Sequence, residues 1–132
     1  MARYLIDVLI MEANRIAIFG LGNSTAIAMD AQHKFQRAGI NEAAYSDNHM
    51  QAIVASHLTK DDVAIGISHS GSSIDIVEAL KIAQESGATT ISITNFGKSP
   101  IDQYSDSIVH CIRRNKIHNI RHEFADRTTG YY

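Results

Sequence analysis

Residues 65–73 read Ile65-Gly66-Ile67-Ser68-His69-Ser70-Gly71-Ser72-Ser73, an apolar run that ends in hydroxyls and glycine. Directly after it Ile74, Val77, Ala79, Leu80 and Ile82 fall at helical spacing. The stretch predicts a buried strand over 63–67, a turn, and a helix over 73–85. Such a turn brings unpaired backbone N–H groups and the positive end of a helix dipole to one point, a natural place for a phosphate or carboxylate. An ordinary serine cap beside a glycine turn accounts for one serine. Four hydroxyls around one glycine, Ser68, Ser70, Ser72 and Ser73, favour the anion site, because each can donate a hydrogen bond.

Outward from that point the pattern repeats. Residues 16–19 form a short β-branched and aromatic run, Gly20-Leu21-Gly22-Asn23-Ser24 makes a turn, and 25–38 carries a helical pattern closed by Gly39. A weaker strand over 40–45 leads to Asp47, a fair N-cap for a helix running to about residue 58. Beyond the central helix, Gly87 precedes a strand over 89–94, a loop over 95–100 holds the single proline with a short helix expected after it, and 107–112 reads as a fifth strand. Upstream, 2–14 has helical spacing without an N-cap, and 113–132 holds five of the twelve lysines and arginines in what reads as a solvated amphipathic helix. Strand and helix alternating five times predicts an α/β fold with a parallel sheet and helices on both faces. Ligands of such sheets sit beyond the carboxyl ends of the strands, at the switch in strand order, where both serine-bearing turns fall.

Composition narrows the function. With 132 residues, 45% hydrophobic and a net charge of −2, the chain reads as one globular domain, with no sign of a nucleic-acid groove or polybasic membrane patch. No apolar run approaches a membrane span, and Asp7 and Glu12 break any signal-peptide pattern, so a cytoplasmic location is expected. A lone cysteine, Cys111, excludes an internal disulfide.

Several chemistries find little support. Gly20-x-Gly22 invites a dinucleotide reading, but Thr25 stands where the third glycine belongs; no Walker loop occurs. Of the seven histidines, His118 and His122 could share a helix face, with no third metal ligand evident. Ser68 lacks the Gly-x-Ser-x-Gly elbow of a nucleophile. No cofactor and no metal are expected. His69, inside the serine turn, could meet an anion or point outward.

Taken together, Gly20 to Ser24, Tyr45-Ser46-Asp47, Asp61 to Gly71 with its Ser-x-Ser-Gly-x-Ser core, and Gly87-Ala88 leading to Asn95 resemble the sugar isomerase (SIS) domain over roughly residues 10–112. Within that superfamily the chain looks most like the effector-sensing domain of RpiR/MurR-type bacterial transcription regulators. The resemblance implies a flavodoxin-like three-layer α/β/α sandwich with a five-stranded parallel sheet, spanning 1–132 as a single SIS domain with 113–132 as an extension. It implies a phosphorylated sugar or amino-sugar ligand, with the phosphate held by Ser68, Ser70 and Ser73. His69, through its backbone, and Gly71 are implied to bind the ligand in the same turn, and Ser24 closes the site. Gly22, Asp47 and Asn95 are placed near the sugar. Many members carry Glu-Thr where this chain has Ser72-Ser73, which keeps the second hydroxyl and loses the acid. A homodimer or homotetramer is implied, as is DNA binding through a helix-turn-helix domain that this chain lacks, leaving an isolated effector domain or a piece of a longer one.

The rival reading is an aldose–ketose isomerase, which needs a base to move a proton between C1 and C2. Asp30, Asp47 and His49 are the candidates near the implied site, and the first two have ordinary readings as a surface charge and a helix cap. A non-catalytic sensor is the expectation.

Overall fold

The computed structural model describes residues 11–95 and 98–110. Five strands form one sheet: β1 (Arg15–Gly20), β2 (Glu42–Tyr45), β3 (Asp62–Ile67), β4 (Thr89–Thr94) and β5 (Ser107–His110). Between them lie α1 (Thr25–Arg37), α2 (Asn48–Ser56), α3 (Ile74–Glu85) and two 3-10 segments, Gly22–Ser24 and Pro100–Tyr104. The strand order is β2-β1-β3-β4-β5 and every pairing is parallel. This is the doubly wound arrangement expected, with the order reversing between β1 and β3.

Strand alternation sends side chains to two cores, which is why β1 and β3 read as near-continuous apolar runs. Ile16, Ile18, Val63, Ile65, Ile67, Ile91 and Ile93 pack with Ala28, Ala31 and Phe35 of α1. On the other face Ala17, Phe19 and Ala64 pack with Ala55 of α2, Ile76, Ala79, Leu80 and Ala83 of α3, and Ile101. Helices therefore cover both faces of the sheet.

The differences from the sequence expectation lie at the ends of elements. The strand over 40–45 begins only at Glu42, because Gly39, at φ +80°, ends α1 and Ile40 donates its N–H back to Phe35. The helix capped by Asp47 stops at Ser56, two residues short of the expected end. The turn after β1 tightens into a 3-10 segment, and the short helix expected after the proline loop is 3-10 and starts at Pro100 itself. Of the helix expected over 2–14, Met11 and Glu12 are helical and residues 1–10 lie outside the described residues. The extension 113–132 and Cys111 lie outside them too.

Candidate functional site

The carboxyl ends of β1 and β3 are paired in register, Phe19 with Gly66 and Gly20 with Ile67, so the turns that follow them open side by side. Between these turns is an open cavity of about 290 Å³ lined by Leu21, Ser24, Ile67, Ser68, His69, Ser70, Ser73 and Ile76. Two turns more than forty residues apart in sequence thus meet at the switch point.

The serine turn is fixed from within. Ser68 is buried, and its hydroxyl oxygen accepts the Gly71 N–H at 3.0 Å, while the Ser70 hydroxyl accepts the Ser72 N–H at 3.1 Å. A serine that accepts in this way keeps its own O–H to donate outward. Ser73 is the N-cap residue of α3, yet its side chain makes no capping bond. Its carbonyl accepts the Val77 N–H at 2.9 Å, so the N–H groups of Ile74, Asp75 and Ile76 precede the first intrahelical donor and have no acceptor within the helix. Ser24 at the head of α1 likewise makes no capping bond and is buried against the cavity. The wall therefore offers hydroxyl donors and a helix N-terminus around one space, an environment suited to an oxyanion.

Of the residues singled out in the sequence, Ser24, Ser68, His69, Ser70 and Ser73 come together on the wall. Gly71 does not line it: its N–H turns inward to Ser68 and its carbonyl accepts the Ile101 N–H at 3.1 Å. At φ +72°, with a hypothetical Cβ colliding with Ser99, Gly71 is needed for the shape of the turn. Gly22, at φ +57°, is exposed in the neighbouring turn. Asp47 is occupied as a cap, its carboxylate accepting the Met50 N–H at 2.9 Å, and it stands at the head of α2 off the wall. Asn95 sits just outside, where its N–H donates to the His69 carbonyl at 2.9 Å and its amide nitrogen lies 2.9 Å from His69 Nε2.

Two supports were not visible in the sequence. Gln51 of α2 is fully buried, and its amide donates to the Gly20 carbonyl at 3.2 Å and the Tyr45 carbonyl at 2.6 Å, tying together the ends of β1 and β2. Gly20 itself allows the turn to close, since a Cβ there would approach the Ser24 carbonyl oxygen to 2.8 Å. Among the described residues no cluster of three or more His, Cys, Asp or Glu side chains could hold a metal ion, and no helix is long and apolar enough to cross a membrane.

A doubly wound sheet with a hydroxyl-lined cavity at its switch point defines an α/β domain of the open, parallel-sheet class. Residues 9–124 match the SIS domain family, and the chain belongs to it. It is 47% identical over 95 residues to an uncharacterized HTH-type transcriptional regulator of Caldanaerobacter subterraneus, which covers 72% of this chain and 34% of that one. It is 39% identical over 98 residues to the HTH-type transcriptional regulator RpiR of Escherichia coli, covering 74% of this chain and 33% of RpiR. The chain thus spans about a third of the length of these curated relatives. Among solved structures, the Vibrio vulnificus NanR protein complexed with ManNAc-6P superposes with a TM-score of 0.86 at 20% identity, over 98% of this chain and 52% of NanR. That likeness is one of fold.

Proposed function

We propose that this chain is the phosphosugar-binding effector domain of an RpiR-type transcriptional regulator, binding its ligand without transforming it. The observation that carries the reading is the uncapped N-terminus of α3 beside the hydroxyls of Ser68, Ser70 and Ser73. The ligand's phosphate docks against those donors, Ser24 with the apolar Leu21 faces the sugar from the other turn, and Ile76 of α3 adds apolar wall. HTH-type regulators among the relatives, and a fold neighbour bound to ManNAc-6P, support a sensing role. The regulator's DNA contacts belong to a helix-turn-helix domain of the kind those relatives are named for, not to this acidic domain, which carries a net charge of −2.

The homodimer or homotetramer implied by the resemblance is part of the same proposal. Exposed Met50 and Ile53 on α2 and Ile74 at the head of α3 offer apolar surface for it. Ligand can act on such an assembly only through different affinities for two of its states.

Isomerase activity is the second reading, and it rests on His69, among the described residues the one ionisable side chain on the cavity wall. Calorimetric titration with hexose and hexosamine 6-phosphates, ManNAc-6P among them, each beside its unphosphorylated parent, tests the proposal. Binding of a phosphorylated sugar, no binding of its parent, and an unchanged sugar after overnight incubation, read by NMR, is the expected result. Aldose–ketose interconversion in the same tube establishes the isomerase instead, and no binding across the panel contradicts both.

A further inference from the structure

Among the described residues, the cradle has hydroxyls, backbone dipoles and one imidazole, but no lysine or arginine on its wall. A sugar phosphate brings a charge of about −1.5 to −2 at neutral pH. Among the described residues, the positions of the cations in the fold show which one can meet it. Arg15 opens β1 and Lys60 precedes β3, which places both at the amino edge of the sheet. Lys34 and Arg37 lie in the last turn of α1, which runs away from the cavity toward that same edge. Lys81 lies in the second half of α3, away from its N-terminus. Among the described residues, Lys98 is the one lysine or arginine on a connection that leaves the carboxyl end of a strand.

That connection is held against the serine turn on both sides of Lys98. Before it, Asn95 joins His69 through the backbone, at 2.9 Å, and through the side chains. After it, Ser99 packs against Gly71 so closely that a Cβ on the glycine has no room, and the Ile101 N–H donates to the Gly71 carbonyl at 3.1 Å. Lys98 itself is exposed and has no ion-pair partner among the described residues. The nearest acid in its segment, Asp102, is occupied by the N–H and hydroxyl of Ser99 at 3.1 and 3.4 Å.

We infer that Lys98 is a ligand-binding residue that supplies the formal positive charge for the phosphate docked in the serine turn. This rests on the phosphosugar reading and adds to it a residue outside the Ser-x-Ser-Gly-x-Ser core. The flexible stem of lysine lets a strongly hydrated point charge reach the anion from the rim, so its contribution is electrostatic and salt-sensitive.

The test compares wild type with Lys98→Gln and Lys98→Arg by calorimetry, using inorganic phosphate and ManNAc-6P as probes at low and high salt. Lys98→Gln is expected to weaken both probes about tenfold at low salt, as for loss of a hydrogen bond to a charged group. The deficit shrinks at high salt, and Lys98→Arg restores most of the affinity. The melting temperature without ligand is expected to stay at the wild-type value, since the side chain is exposed. Wild-type binding of either probe with Lys98→Gln within twofold of it overturns the inference and leaves the phosphosugar reading standing. Failure of wild type to bind either probe overturns both.

Discussion

Ser68 and Ser73 line one cavity but stand in different structural positions, and substitution separates them. The Ser68 hydroxyl accepts the buried Gly71 N–H, so Ser68→Ala is expected to cost about 1 kcal/mol of stability as well as ligand affinity. Ser73 makes no capping bond, so Ser73→Ala is expected to leave the denaturation midpoint near wild type while weakening phosphosugar binding about ten- to a hundredfold. Urea denaturation and calorimetry on the two variants check the contrast. An equal loss of stability would mean that the Ser73 hydroxyl braces the turn as Ser68 does. A second residue gives a prediction in pH. Burial pushes the Glu42 carboxyl above its ordinary pKa, against the opposing effects of its own backbone, Gln32 and His33, and one of its oxygens is buried with no hydrogen bond. The unfolded chain therefore gives up this proton first, and the residue subtracts stability as pH rises from below its unfolded pKa, about 4.3, through its folded value. Glu42→Gln is expected to melt higher than wild type at pH 7 and to converge with it below about pH 4.

At the scale of elements, the site depends on how the serine turn is propped. Gly71 sits at φ +72°, donates to Ser68, accepts from Ile101 and touches Ser99, so it joins the turn after β3 to the segment after β4. Gly71→Ala must adopt a left-handed conformation, at about 1–2 kcal/mol, and must also push Ser99 aside. The expected outcome is a destabilised protein with lost ligand binding, measured by thermal melting and titration; near-wild-type values for both would mean that the turn has another way to close. The turn's glycine and serines were legible in the sequence because few roles require them together. Its props were not. Gln51 lies on a helix whose pattern does not distinguish it from a solvent-facing glutamine, although it is fully buried and holds the ends of β1 and β2. Ser99 and Ile101 lie in a loop whose packing partner is about thirty residues away. Asp47 was legible as a cap, and the structure has it there, accepting the Met50 N–H.

For the whole molecule, the order β2-β1-β3-β4-β5 places the crossover between β1 and β3, and the two hydroxyl-bearing turns fall on either side of it. Alternation of strand and helix was readable because the central strands are buried on both faces, which makes β3 an almost continuous apolar run and β4 a run of β-branched Thr and Ile with one Ser. Strand order was not readable from any local pattern; the resemblance implied a flavodoxin-like five-stranded parallel sheet, and the structure supplies the order. What the fold adds is convergence, since no single segment contains the cavity. The most direct test is therefore a map of where ligand binds. Titrating ¹⁵N-labelled protein with ManNAc-6P and with inorganic phosphate, and following backbone amide shifts, locates the phosphate residue by residue. The account predicts the largest shifts for both probes at residues 68–76, with smaller ones at 21–25 for the phosphosugar alone. Shifts centred on another part of the molecule, with the serine turn unmoved, would contradict it.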